Sequence, residues 1–388
     1  MSKRPPAGSP GLLRRLNSAA VFHAVRTSGP LSRADLARAT GLSKPTVAAA
    51  VELLLEHGYV TEGELAAPAR PGRRPRLLRF ASSFGHVLGV DIGADKVLVL
   101  VADLAGDVVA TERRRTEPGA LLAQVEEAAA AALDAAGVTS LKAAGVGTPG
   151  VVDPVTGRVT LAPQLPGWEG IELGAHLEPV LGCPVAVDNE VRLSLLAERW
   201  LGAAQEIDDA FFVQIGIGIG GGVLFGGEVY RGAGGAAGEI GYLPLFDEEE
   251  PSDGLGPFEH AAGGSAFARL ARRAGCTAAD AKAVFAAAAR GDSVATQVLE
   301  ELLDRLARGI AAAIVVLNPA TLIVGGGVSR AGEQLRAPLE ERIRALVPVP
   351  PRVILSQLGD EAVALGGVRL ALQTVEHRLF DFAAMELV

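Results

Sequence analysis

Cysteine is almost absent. Cys183 and Cys276 are the only two in 388 residues, which excludes a disulfide framework and a cysteine-rich zinc site and suits a reducing cytoplasm. A secretory signal is missing as well: the opening MSKRPPAGSP has no apolar core. An uninterrupted membrane-spanning run is also lacking. Residues 310–329 carry no charge, but Asn318-Pro319 and Gly325-Gly326-Gly327 break them, so a buried helix, a turn and a strand are expected there.

What is present is a soluble globular composition, 49% hydrophobic and 21% charged, in a chain long enough for two or three domains. The net charge of −9 hides a division. Of the 36 Lys/Arg and 45 Asp/Glu, residues 1–80 hold 13 and 5, leaving 23 and 40 for the remainder. A basic head on an acidic body points to nucleic acid at one end only.

In the head, Leu13, Leu16, Ala20 and Ala24 recur at helical spacing, and Gly29-Pro30 ends that helix. Ser32 is placed to cap a second helix, with Asp35 three residues on and Leu36 on its apolar face. Gly41 makes a tight turn. Ser43 caps a third helix with Val47, Val51 and Leu54 inward, and Gly58 closes it. Two short helices joined by a glycine turn have the spacing of a helix-turn-helix, whose second helix offers its N-terminal residues to the major groove. Those residues are Ser43, Lys44 and Thr46, with Arg33 at the start of the helix before. Residues 60–62 and 77–80 then form the strands of a wing. Arg70, Arg73, Arg74 and Arg76, on extended Pro/Gly backbone, fit a minor groove or track phosphates. Residues 1–81 are read as a winged helix-turn-helix whose partner is double-stranded operator DNA.

The body is organised around residues 210–242, AFFVQIGIGIGGGVLFGGEVYRGAGGAAGEIGY. The apolar run 210–215 is a buried strand. Gly216, Gly218, Gly220, Gly221 and Gly222 then form a loop that a ligand can approach closely. Residues 223–225 are a second strand, turning at Gly226-Gly227 into a third, and Gly238-Glu239-Ile240-Gly241 delivers a carboxylate on permissive backbone. Residues 87–112 repeat this hairpin plan, as a fold of two similar lobes with a cleft between them would. Two strands end in polar residues, at Thr148-Pro149-Gly150 and Asp188-Asn189-Glu190. Such strand ends, where a helix begins, are where α/β folds place ligand contacts.

Seven stretches follow one another in order: GVDIGADK, GVGTPGVVDPVTG, APQLPGW, VDNEVRL, QIGIGIGGG, GAAGEIGY and LNPATLIVGGGV. With them residues 82–388 resemble the ROK family of sugar kinases and sugar-responsive regulators, and the winged helix in front resembles its regulator branch. The resemblance implies an α/β, two-lobed, actin-like (hexokinase-like) fold. One lobe would span roughly 82–205 plus the C-terminal helix, the other 206–370. It also implies a sugar held by Asn189, Glu190, Glu239 and Glu259, with Gly150 and Gln164 in the pocket loops, and a homodimer or dimer of dimers.

The departures from the family pattern bear on chemistry. Its first phosphate loop is Asp-x-Gly-Gly-Thr-Lys. Here Asp91, Gly93 and Lys96 remain, but Ala94 and Asp95 replace Gly and Thr. Like charges a few ångströms apart and partly desolvated cost on the order of a few kcal/mol, so Asp95 opposes a triphosphate. Ile217 stands where the second phosphate loop usually has Thr. Glu190 takes the position of the family's catalytic Asp, one methylene longer. The family's Cys-x-Cys-Gly-x-x-Gly-Cys zinc motif is absent, Tyr242 replaces its His, and His260 is left as a surface or core residue. The expected protein is a cytoplasmic DNA-binding repressor of sugar uptake or catabolism genes, released by a sugar effector. It is not an enzyme and has no cofactor, metal or membrane partner. Two alternatives stay open: an active ATP-dependent sugar kinase with a DNA-binding arm, and a regulator whose body is only a dimerisation module.

Overall fold

The computed structural model describes residues 10–65, 76–117, 119–165, 167–246 and 254–380. The chain divides into two compact units: residues 1–86 with 102–107 and 372–388, and residues 87–101 with 108–371.

The first unit contains α1 (Pro10–Ser28), β1 (Leu31–Ser32), α2 (Arg33–Thr40), α3 (Lys44–Glu56), β2 (Val60–Leu65) and β3 (Arg76–Phe80). Local chemistry sets the helix ends. Ser32 Oγ accepts from Asp35 N at 3.2 Å and Asp35 Oδ2 accepts from Ser32 N at 3.0 Å, a reciprocal capping box that satisfies two donors the helix leaves open. These bonds hold the Asp35 carboxyl below its ordinary value. Gly41 closes α2 in the left-handed region (φ 70°), and Ser43 caps α3 through Thr46 N. Leu36, Val47, Val51, Leu54, Val60 and Leu78 form the core with Val21, Phe22 and Val25 of α1. Leu13 and Leu16 have the expected helical spacing but are exposed, so the buried face of α1 is the one carrying Val21, Phe22, Ala24 and Val25. The wing strands pair antiparallel, Val60 with Phe80 and Glu62 with Leu78. The short β1 adds to β3, making a three-stranded sheet in the order β1-β3-β2. Arg70, Arg73 and Arg74 lie outside the described residues.

The second unit carries two sheets of one plan. The first is made by β4 (His86–Ile92), β5 (Lys96–Asp103), β6 (Val108–Arg115), β7 (Ala143–Thr148) and β10 (Val185–Asn189), in the order β10-β7-β4-β5-β6. The helix α4 (Leu121–Ala136) follows β6. The two-residue β8 (Val151–Val152), β9 (Val159–Leu161) and α5 (Leu173–Leu181) lie between β7 and β10, and α6 (Glu190–Trp200) follows β10. The second sheet is made by β11 (Ala210–Ile215), β12 (Ile219–Phe225), β13 (Glu228–Tyr230), β14 (Thr321–Gly325) and β15 (Arg352–Leu355), in the order β13-β12-β11-β14-β15. Each sheet is a three-strand meander with two strands added in parallel beside its first strand. The helices α7 (Pro257–Ala262), α8 (Gly264–Arg273), α9 (Ala281–Ala289), α10 (Ser293–Leu317) and α11 (Glu333–Leu346) accompany the second sheet, and α12 (Ala362–Phe380) ends the described chain. The uncharged run 310–329 is the end of α10, a left-handed Asn318 and then β14. Among the described residues no helix is long and apolar enough to cross a membrane.

One expectation is corrected. The second strand of the central stretch begins at Ile219, not at 223, so Gly220, Gly221 and Gly222 belong to β12 and pair with Gln214, Val213 and Phe212. None of these three has a positive φ. They are glycines because neighbours sit against the strand. A Cβ on Gly220 would lie 2.7 Å from Val191 Cγ2, and one on Gly221 would lie 2.8 Å from Gly238 O. Absent side chains let α6 and the 235–238 bend close onto β12.

Candidate functional site

The junction of β10 with α6 builds one wall of a cavity of about 860 Å³. Asn189 is the N-cap of α6. Its Oδ1 accepts from Val191 N at 2.9 Å and Arg192 N at 3.2 Å, and its Nδ2 donates to Gly150 O at 2.9 Å. One amide therefore starts the helix and ties down the turn after β7. Gly150 has φ 98°, and a Cβ there would lie 2.0 Å from Leu161 O. Glu190 follows at the first position of α6. Burial, then the charges of Asp91, Glu239 and Glu259, push its carboxyl up to about 8 against the opposing pull of Lys96.

The other wall comes from the second sheet. Glu239 stands at the start of a 3-10 turn, Ile240–Tyr242, and burial raises its carboxyl while Arg192 nearby pulls the other way. Glu259, on α7, is 5% exposed, and its Oε1 accepts from Gln164 Nε2 at 2.7 Å. Burial raises it too, with hydrogen bonds from Ile219 N, Gln164 and Gly256 N opposing. Gly218 makes this contact possible: a Cβ there would lie 1.7 Å from Glu259 Oε1. The cavity is lined by Gly150, Gln164, Asn189, Glu190, Glu239 and Glu259, so the structure brings all six expected pocket residues together. Tyr242 lines it as well, and burial followed by the charges of Glu259 and Glu239 raises its phenol.

The first phosphate-loop region opens on the same cavity. Lys96 Nζ lies 2.9 Å from Asp91 Oδ2 and donates to Asp360 O at 2.5 Å. Asp91 is buried, which raises its carboxyl despite Lys96. Ala94, Asp95 and Ile217 line that end.

A network that sequence reasoning missed supports the arrangement. Asp188, 3% exposed, accepts from Arg192 Nε at 2.5 Å and from Arg231 Nε at 2.8 Å. Arg192, 1% exposed, also donates from Nη1 to Gly235 O at 2.5 Å. The pair joins the start of α6 to the glycine bend that delivers Glu239. The only sign of it in the sequence is two opposite charges four apart in VDNEVRL.

At the head, Ser43 and Lys44 are exposed at the start of α3 and Thr46 is half-buried, with its hydroxyl 2.7 Å from that of Ser43. Arg33 is engaged within the head: it ion-pairs with Glu52 of α3 at 3.0 Å and with Glu62 of β2. Arg76 reaches the same Glu62 at 3.0 Å. The two guanidinium groups hold the Glu62 carboxyl below its ordinary value. Arg33 therefore fastens the helices to the wing, and Arg76 ties the two wing strands together.

Comparison with known proteins follows this division. Residues 87–374 match the ROK family and residues 11–73 match the MarR family. A putative xylose repressor from Caldicellulosiruptor sp. (strain Rt8B.4) is 28% identical over 94% of this chain and 97% of its own. The crystal structure of a ROK family glucokinase from Streptomyces griseus, in complex with glucose and AMPPNP, is 30% identical, with a TM-score of 0.65 over 74% of this chain and 100% of that one. A ROK family transcriptional regulator, a homolog of the E. coli MLC protein, shares the fold at 23% identity, with a TM-score of 0.78 over 95% of this chain and 98% of its own.

Proposed function

Because the chain belongs to the ROK family and carries a MarR-type winged helix in front, we propose that it is a DNA-binding repressor released from its operator by a sugar bound in the ROK cleft. The observation that carries this is the convergence of Asn189, Glu190, Glu239 and Glu259 on one cavity, in a chain whose head offers Ser43, Lys44 and Thr46 at a helix start. Carboxylates and amides held by backbone geometry suit vicinal hydroxyls, which both donate and accept. On this reading residues 1–81 bind DNA, residues 82–388 bind the sugar, and the protein is a homodimer or a dimer of dimers acting in the cytoplasm. On this reading the chain is not an enzyme: Ala94 and Asp95 stand where the family's first phosphate loop has Gly and Thr, Ile217 offers no hydroxyl in the second, and Lys96 is engaged by Asp91 and Asp360.

A sugar bridging the Asn189–Glu190 wall and the Glu239–Glu259 wall favours one closure of the cleft, by its differential affinity for the two states. Closure changes the separation of two heads, and half-sites on DNA tolerate only a fixed helical spacing. A coupling of about 1–3 kcal/mol lowers operator affinity roughly 5- to 150-fold. The test is operator affinity of the full chain with and without a panel of simple sugars. Glu239→Ala should keep operator binding and lose the sugar response; a normal response in that variant would place the pocket elsewhere. Sugar-dependent ATP consumption that vanishes in Glu190→Gln would establish the kinase reading instead.

A further inference from the structure

Glu259 rides on α7, a helix of six residues that begins at Pro257 without a side-chain cap. A helix this short does not hold its own shape in water, so its neighbours set the direction of the Glu259 carboxylate. Contacts from outside the cavity do this. Phe258, fully buried, lies on α10 where Gly309 leaves room: a Cβ on Gly309 would lie 2.1 Å from the ring. Arg305, one turn earlier on α10, donates from Nη1 to Ala261 O at 3.1 Å, and Arg269 of α8 donates to His260 O. The two guanidinium groups satisfy carbonyls that the end of α7 leaves open. Arg305 also stands 6.0 Å from the centre of the Phe246 ring, and that ring is stacked on Phe258 with centroids 6.0 Å apart and planes at 23°. Glu301, four residues before Arg305, pairs with it at 2.6 Å and steadies the guanidinium.

Phe246 brings in the other carboxylate, because it lies on the stretch that runs on from Glu239. Gly256, just ahead of α7, lies against the same stretch: a Cβ there would lie 2.2 Å from Gly241 O. The segments that carry Glu239 and Glu259 are thus joined by backbone packing at Gly241 and Gly256, and again by the stack of Phe246, Phe258 and Arg305. The family's zinc motif would span these same two segments, and its donors do not fit here. Residues 242–258 contain no Cys or His, and among the described residues no group of three or more His, Cys, Asp or Glu could hold a metal ion.

We infer that Arg305 and Phe246 are positioning residues for the bound sugar, and that their stack fixes Glu259 relative to Glu239 without a metal. This rests on the sugar-responsive reading above and adds to it two residues that do not line the cavity. The cation over the ring and the bond to Ala261 O act on α7 together. Without the guanidinium the helix is free to turn, and the Glu259 carboxylate leaves the sugar hydroxyl it would accept from.

The experiment is calorimetric titration of the full chain with D-glucose, D-xylose and N-acetyl-D-glucosamine, under conditions where urea unfolding shows every variant to be folded, with operator affinity measured in parallel. Arg305→Met should weaken the best-bound sugar about 10-fold, and Phe246→Leu about 5-fold, with operator affinity in the absence of sugar unchanged. Arg305→Lys keeps a cation over the ring and a donor for Ala261 O, and should recover most of the loss. Arg342→Met removes an ion pair from the same helix, to Glu300 and Asp304, without touching α7; it should bind sugar as the wild type does. Dialysis against EDTA should leave the wild-type affinity unchanged. Wild-type affinity in both Arg305→Met and Phe246→Leu overturns this inference and leaves the sugar-responsive reading in place. An equal loss in Arg342→Met overturns it as well, because the effect is then a general loosening of α10. A loss on dialysis that zinc chloride restores overturns the metal-free arrangement. If no probe binds the wild type and none changes operator affinity, the sugar-responsive reading falls and this inference falls with it.

Discussion

Glu190 should make the body less stable as pH rises. An isolated glutamate titrates near 4.5, and in the folded cleft Glu190 titrates at about 8. Between those values the folded protein holds a proton that the unfolded chain has released. Stability changes with pH in proportion to protons bound in the unfolded state minus those bound in the native state. That difference is negative here, so stability falls across the window and the loss is complete above about pH 8. Each tenfold difference in proton affinity between the two states is worth about 1.4 kcal/mol, so Glu190 accounts for about 3–5 kcal/mol. Glu239, Glu259 and Asp91 are also raised and add losses of the same sign. Asp35 and Glu62 are lowered, so their contribution has the opposite sign and is lost only as pH falls below the ordinary carboxylate range. The assay is urea unfolding from about pH 5 to pH 9, followed by tryptophan fluorescence. Both tryptophans, Trp168 and Trp200, lie in the body, so the signal reports its unfolding and not the head's. Comparing wild type with Glu190→Gln cancels every other titrating group to first order. The two proteins should converge near pH 5, and the variant should be more stable by about 3–5 kcal/mol near pH 9. Curves that stay parallel within about 1 kcal/mol would refute the assignment of a raised Glu190.

Arg192→Met leaves Asp188 with Arg231 alone and Gly235 O without its donor. It should lower body stability by about 3–5 kcal/mol in the same assay, and a loss below about 1 kcal/mol would show the network to be dispensable. Gly221→Ala puts a Cβ 2.8 Å from Gly238 O and 2.9 Å from the Phe211 ring. The expected cost is about 1–3 kcal/mol, with a parallel loss of sugar affinity because Gly238 precedes Glu239; wild-type affinity in a destabilised variant would separate the two. Operator affinity should fall roughly 10³–10⁵-fold between about 50 and 200 mM salt if a dimer makes about 6–10 phosphate contacts. Lys44→Ala should weaken it further, and a flat salt titration would argue against phosphate-driven binding.

Features made by neighbours in the chain were legible. Ser32 with Asp35, Ser43 with Thr46, and Gly41 between them act within a few residues of each other, so the helix-turn-helix could be read without its surroundings. The meander after residue 86 and its repeat after residue 209 were legible because period and turn chemistry are local as well. Illegible features depended on partners supplied by the fold. The spacing of Leu13, Leu16, Ala20 and Ala24 marks a helix, but the phase of its buried face depends on where α3 and β3 lie. That Arg33 also pairs with Glu52 and Glu62 could not be read from its neighbours in the chain, because the fold supplies those carboxylates.

The glycines of β12 show the same limit, and they also show how the site is built. A run of glycine in sequence has two physical meanings, backbone that bends and backbone that is approached, and composition does not separate them. At Gly235 and Gly238 the first holds, with φ of 75° and 92°. At Gly220 and Gly221 the second holds, and the approaching groups are Val191 of α6 and the carbonyl of Gly238 itself. Arg192, one residue after Val191, closes the circuit by holding Gly235. The helix that begins with Asn189 and Glu190 is thus packed onto the strand that leads toward Glu239, and bonded to the bend that carries it. Moving either wall must break or remake the Val191–Gly220 packing and the Arg192–Gly235 bond. If the cleft closes on a sugar as proposed, these contacts make the change a switch between two packings, because close-packed interiors do not deform continuously.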